Sequence, residues 1–328
     1  MRVNGQEYME EGNNILHVGC SADDNYIHHA AVMICSLLES NTSVRICLHL
    51  LFESLKEQNV EFLRNLAGRY GTEMVFHKVD AVKLEGVRFR KVRPLSSAAY
   101  YRLLLSSILT DVDKVLYLDV DTAVLGDISP LFRLDMDGYA LAAVKDVVPC
   151  FDDHRMSLSI PYDKDYFCSA VMLINLEYWR EHDAEARLIE FAKRDRIVYC
   201  HDQDALNYVF KGQWFALPPK WNRFHMDYIP SSEFRDYKDK FEYYHRPVIV
   251  HFSGYKPSYR CFGIRFEDVY EKYLELSGCQ PVSIVKVPLS DRLAPVRTYL
   301  FRKALKKAGL YRPYLYMRLY LRHKLGRI

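Results

Sequence analysis

What most constrains this chain is an alternation of short apolar runs with segments of helical period. "NILHVGC" predicts a strand through Ile15, Leu16 and Val18, and the polar turn "SADDNY" follows it. From Ile27, apolar residues recur at Ala30, Ala31, Ile34, Leu37 and Leu38, the spacing of a helix with a buried face. Val44–Phe52 and Glu73–Val79 read as strands, with a helix between them over Leu55–Tyr70. A charged loop over 82–95 closes on Pro94, and "SSAAYYRLLLSSIL" opens on a Ser cap as a further helix. That helix leads into "KVLYLDVD", an apolar strand that stops at Asp119 and Asp121. Further strands are expected at Tyr139–Val144, at Ala170–Asn175 and in "PVIVHFSG", which ends at His251. Helices are expected at Leu176–Arg194, Asp202–Phe210 and Phe266–Leu276. Such alternation implies an α/β fold with a mainly parallel sheet and right-handed crossovers. Ligands of these sheets bind beyond the carboxyl ends of the strands, where "SADDNY" and "DVD" can share one cleft.

Composition narrows the class. Hydrophobic residues make up 49% and charged residues 27%, which calls for a large packed core. No apolar run approaches the roughly 18 to 20 residues of a membrane span. The opening "MRVNGQEYMEEGNN" has no apolar segment of a secretory signal. Eight cysteines without a C-x-x-C pair fit reduced thiols, and so a cytoplasmic setting. The net charge of +3 hides an asymmetry: 11 of the 45 Lys and Arg lie in Arg292–Ile328, which holds no Asp or Glu. The rest sets 34 basic against 42 acidic residues, an acidic body with a basic, anion-seeking tail. One catalytic domain is expected over 13–280, and a connector with a basic helical tail over 281–328.

Paired carboxylates at a strand end can bind a hard divalent cation, act as acid and base, or cap a turn. "VIVHFSGYKP" favours the first, since a second core strand there ends in His251, with Gly254 and Lys256 close behind. Imidazole with carboxylates suits Mn²⁺, or Mg²⁺, with substrate oxygens completing the shell. Gly254 would let backbone approach a ligand and Lys256 would supply a point charge for phosphate.

These motifs resemble, in order, those of the family 8 glycosyltransferases. This retaining, metal-dependent group includes bacterial lipopolysaccharide galactosyl- and glucosyltransferases. The likeness runs from residue 15 to about 276 through "SADDNY", "YYRLLLSSIL", "KVLYLDVDTAVLGDISPLF", "VMLINLEYWR", "HDQDALNYVFKG" and "HFSGYKP". It implies a Rossmann-like, GT-A type domain that transfers a hexose, galactose or glucose, from a UDP-sugar to a glycan acceptor such as lipopolysaccharide. It also implies roles. Ser21 belongs to the nucleotide-binding turn, where Asp23 and Asn25 would bond uracil and ribose and Tyr26 would stack on the base. Asp119, Asp121 and His251 would hold Mn²⁺ against the diphosphate, and Gly254 and Lys256 would meet the phosphates. Arg102, Asp146, Ser169, Asp202 and Gln203 would surround the sugar, with Asp146, Asp202 and Gln203 nearest the chemistry.

Two departures stand out. Where the family has Phe-Asn-Ser/Ala-Gly, this chain has Phe167-Cys168-Ser169-Ala170, and cysteine lacks the amide's paired donor and acceptor. The last motif is one residue shorter than the family's and runs Lys256-Pro257-Ser258-Tyr259. A sugar-nucleotide binding module of little activity is one alternative. A phosphatase with D-x-D at a strand end is another, disfavoured by Ala123 where a Thr or Val is usual.

The tail adds one more expectation. Leu300, Phe301, Ala304, Leu305 and Ala308 fall on one helical face, with Arg302, Lys303, Lys306 and Lys307 around it. Tyr314, Tyr316 and Tyr320 follow among leucines and basic residues. This is the pattern of an interfacial helix on an anionic membrane, which would place the protein peripherally on the cytoplasmic leaflet. No nucleic-acid-binding motif accompanies the charge.

Overall fold

The computed structural model describes residues 15–87, 97–146, 158, 160, 166–194, 200–224, 234–254 and 265–280, with 301, 304–305, 307–310, 313–314 and 317 of the tail. Its centre is a seven-stranded sheet. The strands are β1 (Leu16–Ser21), β2 (Ile46–Phe52), β3 (Glu73–Lys78), β4 (Lys114–Leu118), β6 (Leu141–Lys145), β7 (Phe167–Asn175) and β8 (Trp214–Leu217), in the order β3-β2-β1-β4-β7-β6-β8. All neighbours are parallel except where β7 runs against β4 and β6. A smaller sheet holds β5 (Thr122–Val124), β9 (Arg223–Phe224) and β10 (Ile249–His251), in the order β5-β10-β9.

The helices are α1 (Ile27–Ser40), α2 (Glu57–Gly68), α3 (Leu105–Ile108), α4 (Ser129–Phe132), α5 (Leu176–Glu181), α6 (Ala184–Lys193), α7 (Asp202–Val209), α8 (Tyr237–His245) and α9 (Glu267–Ser277). Between Ile27 and Leu38 every residue of α1 but His28 is buried, so this helix lies inside the fold rather than on it. The expected strand and helix positions hold, with four differences. The segment after Ser97 is a 3-10 helix over Ser97–Leu104 that becomes α-helical only at Leu105, with Arg102 turned back onto the Ala99 carbonyl. The single helix expected over Leu176–Arg194 is two, because Asp183 takes a left-handed φ of 49° between α5 and α6. β7 starts at Phe167, three residues before the apolar run suggested. The strand ending in His251 belongs to the small sheet, paired with β5 and β9.

The two sheets meet at the turn after β4. Asp119 donates its N–H to Ala170 of β7 at 2.8 Å, and its carbonyl accepts from the Thr122 backbone and hydroxyl. Two residues on, the Asp121 carbonyl accepts from Phe252 N–H at 2.9 Å, just past β10. Helix α1 latches the far side of this turn. Ser36 Oγ accepts from Val124 N–H, Ser40 Oγ donates to the Val124 carbonyl, and Asn41 spans Leu37, Gly126 and Ile128. Asn41→Ala would leave the Ile128 N–H and the Gly126 carbonyl without this partner inside the protein. We expect it to lower unfolding stability by about 2–4 kcal/mol, read as a lower urea midpoint at unchanged slope.

Candidate active site

β1 and β4 are parallel neighbours, so "SADDNY" and "DVD" leave the sheet at the same edge. The turn between β4 and β5 brings both aspartates towards β10. Among the described residues, ligand atoms of Asp119, Asp121 and His251 all lie within 4.8 Å of one another. His251 Nε2 stands 3.6 Å from Asp121 Oδ1. The three side chains are 25%, 15% and 7% exposed, so the cluster is sunk but reachable.

Behind it lies a buried cation. Arg102 Nη2 meets Asp119 Oδ1 at 2.5 Å, its Nε lies 3.1 Å from Asp202 Oδ2, and its Nη1 donates to the Ser169 carbonyl at 2.8 Å. The guanidinium sits over the Tyr117 ring, 4.4 Å from its centroid. Tyr117 in turn shares a 2.5 Å bond with Ser21, whose hydroxyl also donates to the Ala98 carbonyl. Ser21 therefore fixes the base of the arginine's seat.

Polar groups continue away from Asp202. Gln203 Oε1 accepts from Ser169 N–H at 2.9 Å, and its Nε2 donates to Asp146 Oδ2 at 3.1 Å. Helix α7 is held for this by its start and its middle. His201 takes φ 52°, uncommon for a residue with a side chain, so that α7 opens directly on Asp202 and Gln203. Asn207 then bonds both the N–H and the carbonyl of Phe167, as a strand neighbour would. Asp204 accepts from Tyr166 Oη at 2.7 Å and from Cys200 N–H at 2.9 Å.

The expected nucleotide turn is a short 3-10 turn, Asp24–Tyr26, capped by Asp23, whose Oδ1 accepts from Asn25 N–H at 2.8 Å. The Asn25 side chain is exposed and Tyr26 half-buried. Tyr26 packs on His29, His29 bonds Tyr270 of α9 at 2.6 Å, and Tyr270 packs edge-on to Phe252. This aromatic row links the turn after β1 to the segment after His251. Gly254 takes φ 81°, a conformation that favours glycine. Lys256 lies outside the described residues. Cys168 packs with Ala170 and Phe224, and burial pushes its thiol well above the usual value.

Sequence reasoning missed Tyr117, Tyr166, Asp204, Asn207 and the His29–Tyr270 pair. Tyr117 carries a weak signal, a hydroxyl-bearing ring inside an otherwise aliphatic strand. The rest depend on partners up to 241 positions away.

One guanidinium faces two carboxylates, and the consequence is electrostatic. Burial lifts the Asp202 carboxyl to about 6, against the pull of Arg102 and with Asp119 adding to the rise. An acid whose folded value is raised ionises first in the unfolded chain, so its contribution to stability fades as pH climbs from about 4 to 6. The loss is at most about 3 kcal/mol, from a shift of roughly two units. Asp202→Asn removes this titration. We expect the stability of Asp202→Asn relative to the parent protein to rise between pH 4 and pH 7, measured by urea unfolding.

Comparison with known proteins gives the same outline. The sequence profile of "Glycosyl transferase family 8" matches residues 17–257. General stress protein A of Bacillus subtilis is 31% identical over 251 residues, 73% of this chain and 86% of that protein. A lipopolysaccharide 1,2-glucosyltransferase of Escherichia coli is 29% identical over 248 residues, 73% of this chain and 71% of its own. The crystal structure of the galactosyltransferase LgtC, solved with donor and acceptor sugar analogues, superposes with a TM-score of 0.70 at 27% identity, covering 84% of this chain and 99% of that one. The fold is that of LgtC, an α/β domain of GT-A type, and a profile match over most of the chain settles kinship: this protein belongs to glycosyltransferase family 8.

Proposed function

We propose that this protein is a retaining hexosyltransferase that moves galactose or glucose from a UDP-sugar to a glycan acceptor. The observation that carries the proposal is the convergence of Asp119, Asp121 and His251 from two sheets, beside the Arg102–Asp202–Gln203–Asp146 chain. Two carboxylates and one imidazole fit Mn²⁺, with Mg²⁺ the second choice, and they leave coordination positions for diphosphate oxygens. Arg102 bonds Oδ1 of Asp119 and would hold that carboxylate in place beside the cation. Bound there, the cation would supply Lewis-acid neutralisation of charge on the departing UDP, so no protein acid is required.

The chain's own residues bind and orient. In this reading Asp23 and Asn25 recognise uracil and ribose, Tyr26 stacks on the base, and Ser21 supports the turn from below. Gly254 lets backbone approach the phosphates, and Lys256 adds a positive charge. Arg102 and Ser169 shape the sugar side. Gln203 is held by bonds at both ends of its amide, which supports a fixed dipole beside a sugar that becomes cationic. Asp202 and Asp146 hold that arrangement from either side. The one glutamate in the described motifs, Glu177, opens α5 at the end of β7 away from Asp119, so departure and attack on one sugar face is the mechanism we favour.

A glycan acceptor of the cell surface, such as lipopolysaccharide, is supported by the names of the relatives. No described helix is long and apolar enough to cross a membrane. The tail supports peripheral attachment to the anionic cytoplasmic leaflet: Phe301, Leu310 and Met317 are about half exposed amid its basic residues. Phe301 and Tyr314 rings meet edge-on at 5.5 Å, so the two parts of the tail touch. We assign the catalytic unit to 13–280 and membrane association to 281–328, with no role for nucleic acid.

Three measurements test this. UDP release and sugar transfer should require Mn²⁺ and fall at least about 100-fold in Asp121→Ala and His251→Ala. Asn25→Ala and Tyr26→Ala should weaken UDP binding, whereas Gln203→Ala should spare it and lower kcat. UDP binding without transfer to any acceptor would identify a binding module instead. Truncation after Asp291 should leave transfer to short soluble acceptors intact and abolish sedimentation with anionic vesicles. Unchanged vesicle binding would assign the tail to the fold.

A further inference from the structure

Among the described residues, a second group of side chains that could hold a metal lies away from the β4–β5 turn. In β1, Leu16, Val18 and Cys20 join the core that contains α1, and in β2 Leu48 and Leu50 do the same. The alternating residues His17, Cys47 and His49 therefore stand on the opposite face. The register places His17, Cys47 and Glu73 in one row across three strands, His49 one pleat further, and His77 one pleat beyond that. His17 Nδ1 lies 2.9 Å from His49 Nε2, and His49 Nδ1 lies 3.0 Å from His77 Nε2. Cys47 and His49 are buried, while His17 and His77 are half-buried, so the row opens to solvent at its ends.

We propose that His17, Cys47 and His49 form a binding site for a borderline transition-metal cation of the Zn²⁺ class, with His77 as its positioning partner. A ligand atom from each of the three lies within 4.8 Å of the others. A tetrahedral zinc centre needs N···N of about 3.3 Å and N···S of about 3.6 Å, given Zn–N of about 2.0–2.1 Å and Zn–S of about 2.3 Å. The histidine pair is already near that spacing, and the thiol reaches it by a side-chain adjustment. With His49 Nδ1 turned to His77, its Nε2 is the nitrogen that faces His17 and the proposed cation, and in the metal-bound form Nδ1 would carry the proton and donate it to His77. Glu73, whose charge bears on both His17 and Cys47, makes the row negative. A bare hydrogen-bonded histidine ladder would need no cysteine, and Cys47 sits in register with His17. On binding, the Cys47 thiol proton leaves to solvent and the thiolate takes its place on the metal. The donor set also separates this site from Asp119, Asp121 and His251, since only this one contains sulfur.

That difference is the test. Co²⁺ is titrated into the full-length, chelator-stripped protein and the near-ultraviolet thiolate-to-cobalt charge-transfer band is followed. The band should saturate at one metal per chain, disappear on adding Zn²⁺, and persist in the Asp121→Ala/His251→Ala variant. Cys47→Ser should abolish it, and His17→Ala and His49→Gln should each weaken cobalt binding at least tenfold. His77→Ala should weaken it by about 10–100-fold while keeping the band, as a partner outside the coordination shell does. Circular dichroism confirms that each variant is folded. No band in the parent protein would reduce the row to a hydrogen-bonded ladder. A band that survives Cys47→Ser, or is indifferent to both His17→Ala and His49→Gln, would place the metal on another cysteine; either result overturns the proposal.

Discussion

The interaction on which the candidate site depends is one buried arginine. Arg102 is 4% exposed and engages Asp119, Asp202 and the carbonyls of Ala99 and Ser169. Charges are expensive to bury, and a guanidinium removed from water holds its place only when nearly every donor is satisfied. Here the bonds come from the 3-10 segment, from β7, from the turn after β4 and from α7. Four elements distant in sequence are thus fixed to one planar group. Breaking such a pair by deleting one partner costs about 3–5 kcal/mol, because the remaining charge stays buried. The four elements are tied together for an electrostatic reason.

The second constraint is topological. Asp119 is tied to the large sheet through Ala170, and Asp121 to the small one through Phe252. The residue between them, Val120, is buried, so the turn cannot rotate without exposing apolar surface. His251 ends β10, whose partner β5 begins at Thr122, one residue after the second carboxylate. The three potential ligands therefore converge because two sheets share a hydrogen-bonded corner. Helix α1 enforces that corner through Ser36, Ser40 and Asn41, and the same helix begins at the turn expected to hold the nucleotide.

Local pattern in the sequence reveals the strands of the first half, the buried helix after "SADDNY", and the carboxylates at the end of β4. Those features are periodic or punctuated, and periodicity survives without tertiary context. The direction of β7 is not legible, because a strand buried on both faces reads the same whichever way it runs. Assignment of His251 to a separate small sheet fails for a related reason, since three residues carry too short a pattern to show their partners. The Arg102 network is legible only by family likeness. Its members are spread from Ala99 to Gln203, and a 3-10 helix places Arg102 where an ideal α-helix would not. His17, Cys47 and His49 look like interruptions of apolar strands in the sequence, and only the sheet register shows them as one row.

Cys168 shows how a departure from family pattern acts through packing. On β7, Cys168 and Ser169 are consecutive, so their side chains leave opposite faces of the strand. Ser169 joins the polar chain with Asp202 and Gln203, at 3.3 Å from each. Cys168 instead packs with Ala170 and Phe224, and Phe224 lies 5.6 Å ring to ring from His251. An amide at 168 would have to satisfy donors and acceptors against this apolar pair, whereas a neutral thiol does not. The Asn222 amide and the Asp146 charge also bear on the thiol, so Cys168 stands between an apolar pair and polar neighbours.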